Sequence, residues 1–258
     1  MLKKRIIFTL LYDSDKEFFY LSRNFNLQKV GNYNWLSKNY NFDLVSQYID
    51  ELIVLDVSRS KTNINNFCKM LKNLSSKCFL PIAANCHINN ENIARSLLLA
   101  GADKLVINSS LIKEKKLVHV LKRKYGRQCI VGSIDTKNSN NGKYKIFIEN
   151  GKKELNFNLD NIKENLPIND IGELYINSID KDGTGQDYDY KILDNLPILN
   201  IPIIFAGGAG NPRHIITCLK NNKVDAAATA HLFNFIGNSL EKTRQEAIKE
   251  GINLANWD

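Results

Sequence analysis

The stretch Ile49-Asp50-Glu51-Leu52-Ile53-Val54-Leu55-Asp56 is a short apolar run ending on a carboxylate, and its opening returns 122 residues later as Ile171-Gly172-Glu173-Leu174. The same offset carries Ala102-Asp103 onto Val224-Asp225, and an offset of 121 carries Pro81-Ile82-Ala83-Ala84 onto Pro202-Ile203-Ile204-Phe205. Short apolar runs rich in β-branched residues and bounded by turn residues read as buried strands. Working outward from the repeat, these runs are Arg5–Leu10, Glu51–Asp56, Phe79–Ala84, Lys104–Asn108, Gln128–Asp135, Glu173–Ile179, Ile203–Ala206 and Ala226–Ala230. Amphipathic stretches lie between most of them: Asn63–Leu74, Asn90–Ala100, Leu111–Tyr125, Ile192–Leu196 and Pro212–Asn221. Such alternation means parallel strands, because each helical crossover returns the chain to the same edge. The pattern predicts one (β/α)8 TIM barrel, a single domain over residues 1–258 built of two pseudo-repeated half-barrels. Asn141-Gly142 before Lys143–Ile148, with Asn150-Gly151 after it, predicts a hairpin inserted after strand five.

Composition agrees with a folded chain that has a sizeable core. Of 258 residues, 43% are hydrophobic and 24% charged, which excludes a disordered protein. No twenty-residue apolar stretch occurs, so no membrane span is expected. The opening Met1-Leu2-Lys3-Lys4-Arg5 is followed by too short an apolar run for a signal peptide, and a cytoplasmic protein is expected. The net charge of +8 is spread along the chain, densest from Lys113 to Arg127, as on one solvated helix face. Without a recognition motif or interleaved aromatic and basic residues, nucleic acid is not an expected partner. Cys68, Cys78, Cys86, Cys129 and Cys218 show no paired metal-ligand spacing, so reduced thiols, no metal and no cofactor are expected.

A barrel of this kind places its active site at the C-terminal ends of its strands. Three glycine-rich or small-residue segments fall there: Asn177-Ser178-Ile179-Asp180-Lys181-Asp182-Gly183-Thr184-Gly185, Phe205-Ala206-Gly207-Gly208-Ala209-Gly210 and Ala226-Ala227-Ala228-Thr229-Ala230. Glycine lets backbone N–H groups approach an anion, and loops after strands seven and eight recurrently cradle phosphate. Their order predicts a phosphorylated ligand.

Met1–Ile7, Ile49–Asp56, Gly101–Asn108, Ser133-Ile134-Asp135, Asn177–Thr184 and Ala206–Gly210 together resemble the cyclase subunit of imidazole glycerol phosphate synthase along almost the whole chain. The resemblance implies a barrel paired with a glutaminase subunit as a heterodimer. Ammonia released by the glutaminase passes through the barrel to a bis-phosphorylated substrate, which the family cyclises. Two aspartates serve as acid and base, since one carboxyl can stay protonated while the other is ionised. The second falls on Asp135, but the first falls on Leu11, with Asp13 and Asp15 displaced along the chain. The family's catalytic-loop lysine aligns with Leu21. At the first phosphate site the three-glycine turn has become Asn85-Cys86-His87, leaving Asn108 and Ser109 as polar partners. At the second, Gly183, Thr184, Gly207, Gly208 and Ala230 match, while His231 replaces a small hydroxyl residue.

The opposite end departs nowhere. The family's ring of charges at the ammonia entrance matches at Arg5, Glu51, Lys104 and Glu173, each opening a predicted strand, and Asp103 matches a position used against the glutaminase. The same four charges are also what a plain ion-pair plug closing the barrel floor would need. This split resembles a divergent branch tied to sugar amidation in surface polysaccharide biosynthesis, which carries an apolar residue for the first aspartate and a similar Ser22-Arg23-x-Phe25 segment. Three readings follow: an ammonia conduit serving a further amidotransferase, an active cyclase relying on Asp135 alone or recruiting Asp13, and a stand-alone phosphosugar isomerase. Cys86 and His87 could also form a nucleophile pair, although adjacent residues face apart. His119 and His214 are expected on surface helices, and Tyr33, Trp35 and Tyr40 beside Gly31 as helix packing. Asp56 and Asp180 read equally as interior polar groups or substrate contacts.

Overall fold

The computed structural model describes residues 3–39, 45–139, 142–230 and 239–255. Their strands are β1 Arg5–Asp13, β2 Phe18–Arg23, β3 Asn26–Gly31, β4 Glu51–Asp56, β5 Ile82–Asn85, β6 Lys104–Ile107, β7 Ile130–Asn138, β8 Tyr144–Ile148, β9 Lys153–Asn158, β10 Glu173–Ser178, β11 Ile203–Ala206 and β12 Ala226–Thr229. Eight of them, β1, β4, β5, β6, β7, β10, β11 and β12, pair in parallel in that order. The ring closes where β12 meets β1, with Arg5 opposite Ala226. Helices lie between successive barrel strands, as in Ile64–Ser75, Glu91–Leu99 and Pro212–Lys220. The architecture is a (β/α)8 barrel, as the alternation predicts.

Strand alternation divides the apolar residues into two cores. Ile6, Phe8, Leu52, Val54, Leu174 and Ile176 face outward under the helices. Ile7, Ile53, Val106, Val131, Ile204 and Ala226 face inward and fill the lumen. Helices start where asparagine can accept an orphan N–H: the side chains of Asn63, Asn90 and Asn211 accept from Asn66, Ile93 and His214. The 122-residue offset survives as a bond. Asp103 accepts from the Ile82 amide at 2.8 Å, and Asp225 accepts from the Ile203 amide at 2.9 Å.

Element boundaries shift in places. The third barrel strand begins at Ile82 rather than Phe79, just past Pro81, and Phe79 is almost fully exposed. The fifth begins at Ile130, after a 3-10 turn over Arg127–Cys129, and runs on to Asn138. The predicted helix Leu111–Tyr125 is two, Ser109–Lys113 and Lys115–Tyr125, because Glu114 leaves helical geometry. β8 and β9 form the expected hairpin after strand five. A second hairpin, β2–β3, was not expected. Its turn residues Asn24 and Phe25 have φ of 49° and 63°, so the turn is built without the glycine that usually marks it.

Candidate functional site

At the C-terminal ends of the barrel strands lies a cavity of about 580 Å³. Asp135, near the end of β7, stands in its wall, 9% exposed. Asn108 donates to Asp135 Oδ2 at 3.1 Å. Burial pushes the Asp135 carboxyl up to about 7, against the pull of bonds from Asn108 and Asn177 and the charge of Arg59. Asp135 therefore sits where it can hold or give a proton near neutrality. Leu11, on β1, lines the same cavity.

Neither neighbouring carboxylate replaces Leu11. Asp13 is buried, and its Oδ1 accepts from the amides of Asp15 and Lys16 and from Ser58 Oγ. Asp15 is exposed and receives a bond from Ser60. Neither is among the described residues lining the cavity, and nor is Leu21. Asp13 shares the odd-numbered face of β1 with Leu11, but at the strand's end its carboxylate is taken up by the Asp15 and Lys16 amides and by Ser58.

The strand-three turn is filled by its own side chains. His87 keeps a left-handed backbone, φ 46°, where glycine is favoured. Its amide donates to Asn85 Oδ1 at 3.2 Å, and Asn85 Nδ2 donates to the Val106 carbonyl at 2.6 Å. An amide free to meet a phosphate is thus already bonded. Asn108 and Ser109 line the cavity but are also engaged, Asn108 with Asp135 and Ser109 accepting from the Glu149 amide. Cys86 points the other way from His87. It is fully buried against Asp56, and burial drives its thiol far up, so the pair cannot act as nucleophile and base.

On the other side Gly183, Gly207, Gly208 and Ala230 line the cavity. Thr184 does not, because its hydroxyl donates to the Lys181 carbonyl within its own turn. Two of the glycines are required by the fold. A Cβ on Gly183 would stand 1.9 Å from the Ser22 carbonyl oxygen, and one on Gly208 would stand 2.0 Å from that of Asp187. His231 lies outside the described residues. Asp56 is occupied by Ser14, Ser58 and Cys86, and Asp180 accepts from the Asn138 amide, so both serve the framework. His119 pairs with Asp170, and His214 Nδ1 accepts from the Gly210 amide. Trp35 packs on Gly31, while Tyr40 lies outside the described residues.

Both hairpins fold over the cavity. The turn of β2–β3 docks on Asp182, which accepts from Ser22 Oγ and from the Phe25 amide. Arg59 then joins the two hairpin tips, donating to the Phe25 carbonyl at 2.8 Å and to the Asn150 carbonyl at 3.2 Å. The sequence reading missed Arg59, and no local signal marks it, since both partners are distant in the chain. Around the cavity the cations Arg59, Lys113 and Lys152 face the carboxyls of Asp56, Glu114, Asp135, Glu149 and Asp182. That balance does not favour a ligand with two phosphates.

At the opposite mouth Arg5, Glu51, Lys104 and Glu173 form one alternating ion cluster. Arg5 meets Glu51 at 2.7 Å and also Glu173. Lys104 meets Glu51 at 3.0 Å and Glu173 at 2.7 Å. Burial prevails at Glu51, whose carboxyl is raised. At Glu173 burial also acts upward, but bonds from Arg5 and Lys104 outweigh it and the carboxyl falls. Asp103 is exposed beside Lys104 at this mouth. Among the described residues no group of His, Cys, Asp or Glu is gathered as metal ligands, and no helix is long and apolar enough to cross a membrane.

The molecule thus falls in the class of (β/α)8 barrels with a buried carboxyl in a chamber at one end and an ion cluster at the other. The histidine biosynthesis protein family matches residues 32–237. A protein of Parasynechococcus marenigrum (strain WH8102), provisionally named imidazole glycerol phosphate synthase subunit hisF2, is 42% identical over 259 residues, covering 100% of this chain and 95% of that protein. The imidazole glycerol phosphate synthase subunit HisF of Hydrogenobaculum sp. (strain Y04AAS1) is 35% identical over 192 residues, 73% of this chain and 75% of its own. That of Clostridium botulinum (strain 657 / Type Ba4) is 32% identical over 259 residues, 98% and 99%. The chain belongs to the HisF family of imidazole glycerol phosphate synthase subunits.

Proposed function

We propose that this HisF-family barrel has kept the family's ammonia-delivery half and given up cyclisation. In this reading a glutaminase subunit docks at the mouth bearing Asp103, and Arg5, Glu51, Lys104 and Glu173 gate the entry of the ammonia it releases. The ammonia serves a further amidotransferase, in keeping with the chain's resemblance to the sugar-amidation branch, and the complex works in the cytoplasm without a cofactor. One observation carries the proposal: Leu11 lines the chamber where the acid–base pair needs a carboxylate, and Asp13 and Asp15 are both held elsewhere. A residue without an exchangeable proton cannot share that work, and Asp135 alone cannot be acid and base in one step. The bonded Asn85–His87 turn and the chamber's excess of carboxyls support the same reading. Gly183, Gly207, Gly208 and Ala230, with Asn108 and Ser109 in the same chamber wall, are the positions where a phosphorylated ligand would sit, and Thr184 contributes through its turn.

The test combines two assays on the full chain. It should bind a glutaminase subunit and stimulate glutamine hydrolysis, while forming no imidazole glycerol phosphate from the bis-phosphate substrate and ammonium salts. Cyclisation that is abolished in Asp135→Asn would establish an active cyclase instead. Failure to bind any glutaminase would favour a stand-alone enzyme.

A further inference from the structure

Arg59 follows the end of β4, the strand opposite β10 in the ring, and its side chain lines the chamber. Nη2 donates to the Phe25 carbonyl at 2.8 Å and Nη1 to the Asn150 carbonyl at 3.2 Å, so the guanidinium is fixed at two points. A guanidinium carries five N–H donors, and these bonds use two, which leaves three. Both partners are neutral carbonyls, and among the described residues no carboxylate lies within ion-pair distance of Arg59. Burial pulls the guanidinium below its ordinary value, with the charge of Asp135 acting against it. Asp135 is itself raised to about 7 by burial, so below that pH it holds its proton and brings no counter-charge. Elsewhere in the wall charges are met locally. Lys113 pairs with Glu149, Asp56 receives Ser14 and Ser58, and Asp182 receives Ser22 and the Phe25 amide.

Joining two hairpin tips needs only neutral donors, which an amide side chain supplies. A partly buried cation is costly to keep out of water unless an anion meets it. Bonds from a guanidinium to a carboxylate are among the strong ones, because the planar fork matches the two oxygens. Around Arg59 the wall also offers neutral polar groups, among them Asn89, Asn108, Asn177, Ser109 and Ser110, which suit ligand hydroxyls. The volume of about 580 Å³ is that of a small-molecule site. Going beyond the conduit reading, and not resting on it, we propose that Arg59 makes the chamber a binding site for a small polyhydroxylated carboxylate. The guanidinium holds the carboxylate, and the amides and hydroxyls of the wall hold the hydroxyl groups. A carboxylate carries the one negative charge that one guanidinium balances, whereas a phosphate monoester carries about 1.5 to 2.

The experiment titrates the full chain with D-glucuronate and with D-glucuronamide, its neutral isostere, following the ligand NMR signals. Wild type should bind glucuronate about tenfold or more tighter than glucuronamide. Arg59→Gln should lose that preference, and Arg59→Lys, which restores the charge without the planar fork, should regain part of it. Glucuronate that does not bind wild type, or binds no tighter than the amide, overturns the proposal. So does a preference that survives in Arg59→Gln, even where both ligands weaken together, because Arg59 is then a clasp only. Glucose 6-phosphate is the third ligand, and an Arg59→Gln loss larger for it than for glucuronate would give Arg59 to phosphate and overturn the carboxylate. No glutaminase is present in these titrations, so their failure leaves the conduit reading to its own binding and hydrolysis assays.

Discussion

Asp135 is a buried carboxyl in the chamber wall, and its burial makes a pH-dependent contribution to stability. Its carboxyl rises from 3.8 to about 7 on folding. A group raised in this way adds stability that is whole below its unfolded value and is lost as pH climbs through the folded one. Asp135→Asn should therefore match wild type near pH 4 and exceed it at pH 8, by up to ~4 kcal/mol, in urea unfolding followed at both pH values. An unchanged difference across that range would mean that Asp135 is not held protonated. Asp135 and Leu11 were both legible in the sequence, because one aligned position is one side chain. Arg59 was not, since its role is set by carbonyls brought to it by two separate hairpins.

The hairpins β2–β3 and β8–β9 are the elements that distinguish this barrel's C-terminal face. The second was legible from Asn-Gly and from alternation. The first was hidden because Asn24 and Phe25 carry its left-handed turn. Docking of β2–β3 depends on Gly183, whose missing side chain lets the Ser22 carbonyl approach. Gly183→Ala should lift the hairpin, cost about 1–3 kcal/mol and expose residues 18–31 to limited proteolysis. Arg59→Ala should act more locally. Amide exchange should quicken at Asn24, Phe25, Asn150 and Gly151, while the strands beneath keep their protection. Exchange that quickens in the barrel strands as well would make Arg59 part of the framework rather than a clasp.

At the scale of the molecule, the ion cluster ties four strands across one mouth and joins residues as far apart as Arg5 and Glu173. Glu51 is its most buried member, 2% exposed, and faces both cations. Glu51→Gln should leave Arg5 and Lys104 sharing Glu173 alone and destabilise the barrel by about 3 kcal/mol, measured as a lower urea midpoint with an unchanged slope. A loss below ~1 kcal/mol would show that water already screens the cluster.

The sequence by itself determined the barrel, its repeat, the inward positions Arg5, Glu51, Lys104 and Glu173, and an apolar side chain at Leu11. Each of these is a local property, carried by a two-residue strand period, a helical period or the identity of one residue. Tertiary structure alone decided that Asn85 fills its own turn, that Ser58 and two amides hold the Asp13 carboxylate, and that Arg59 clasps two hairpins. Alternation tells which side chains point inward. Which of them meet across the lumen depends on how the eight strands are staggered when the sheet closes, and that is a property of the whole ring.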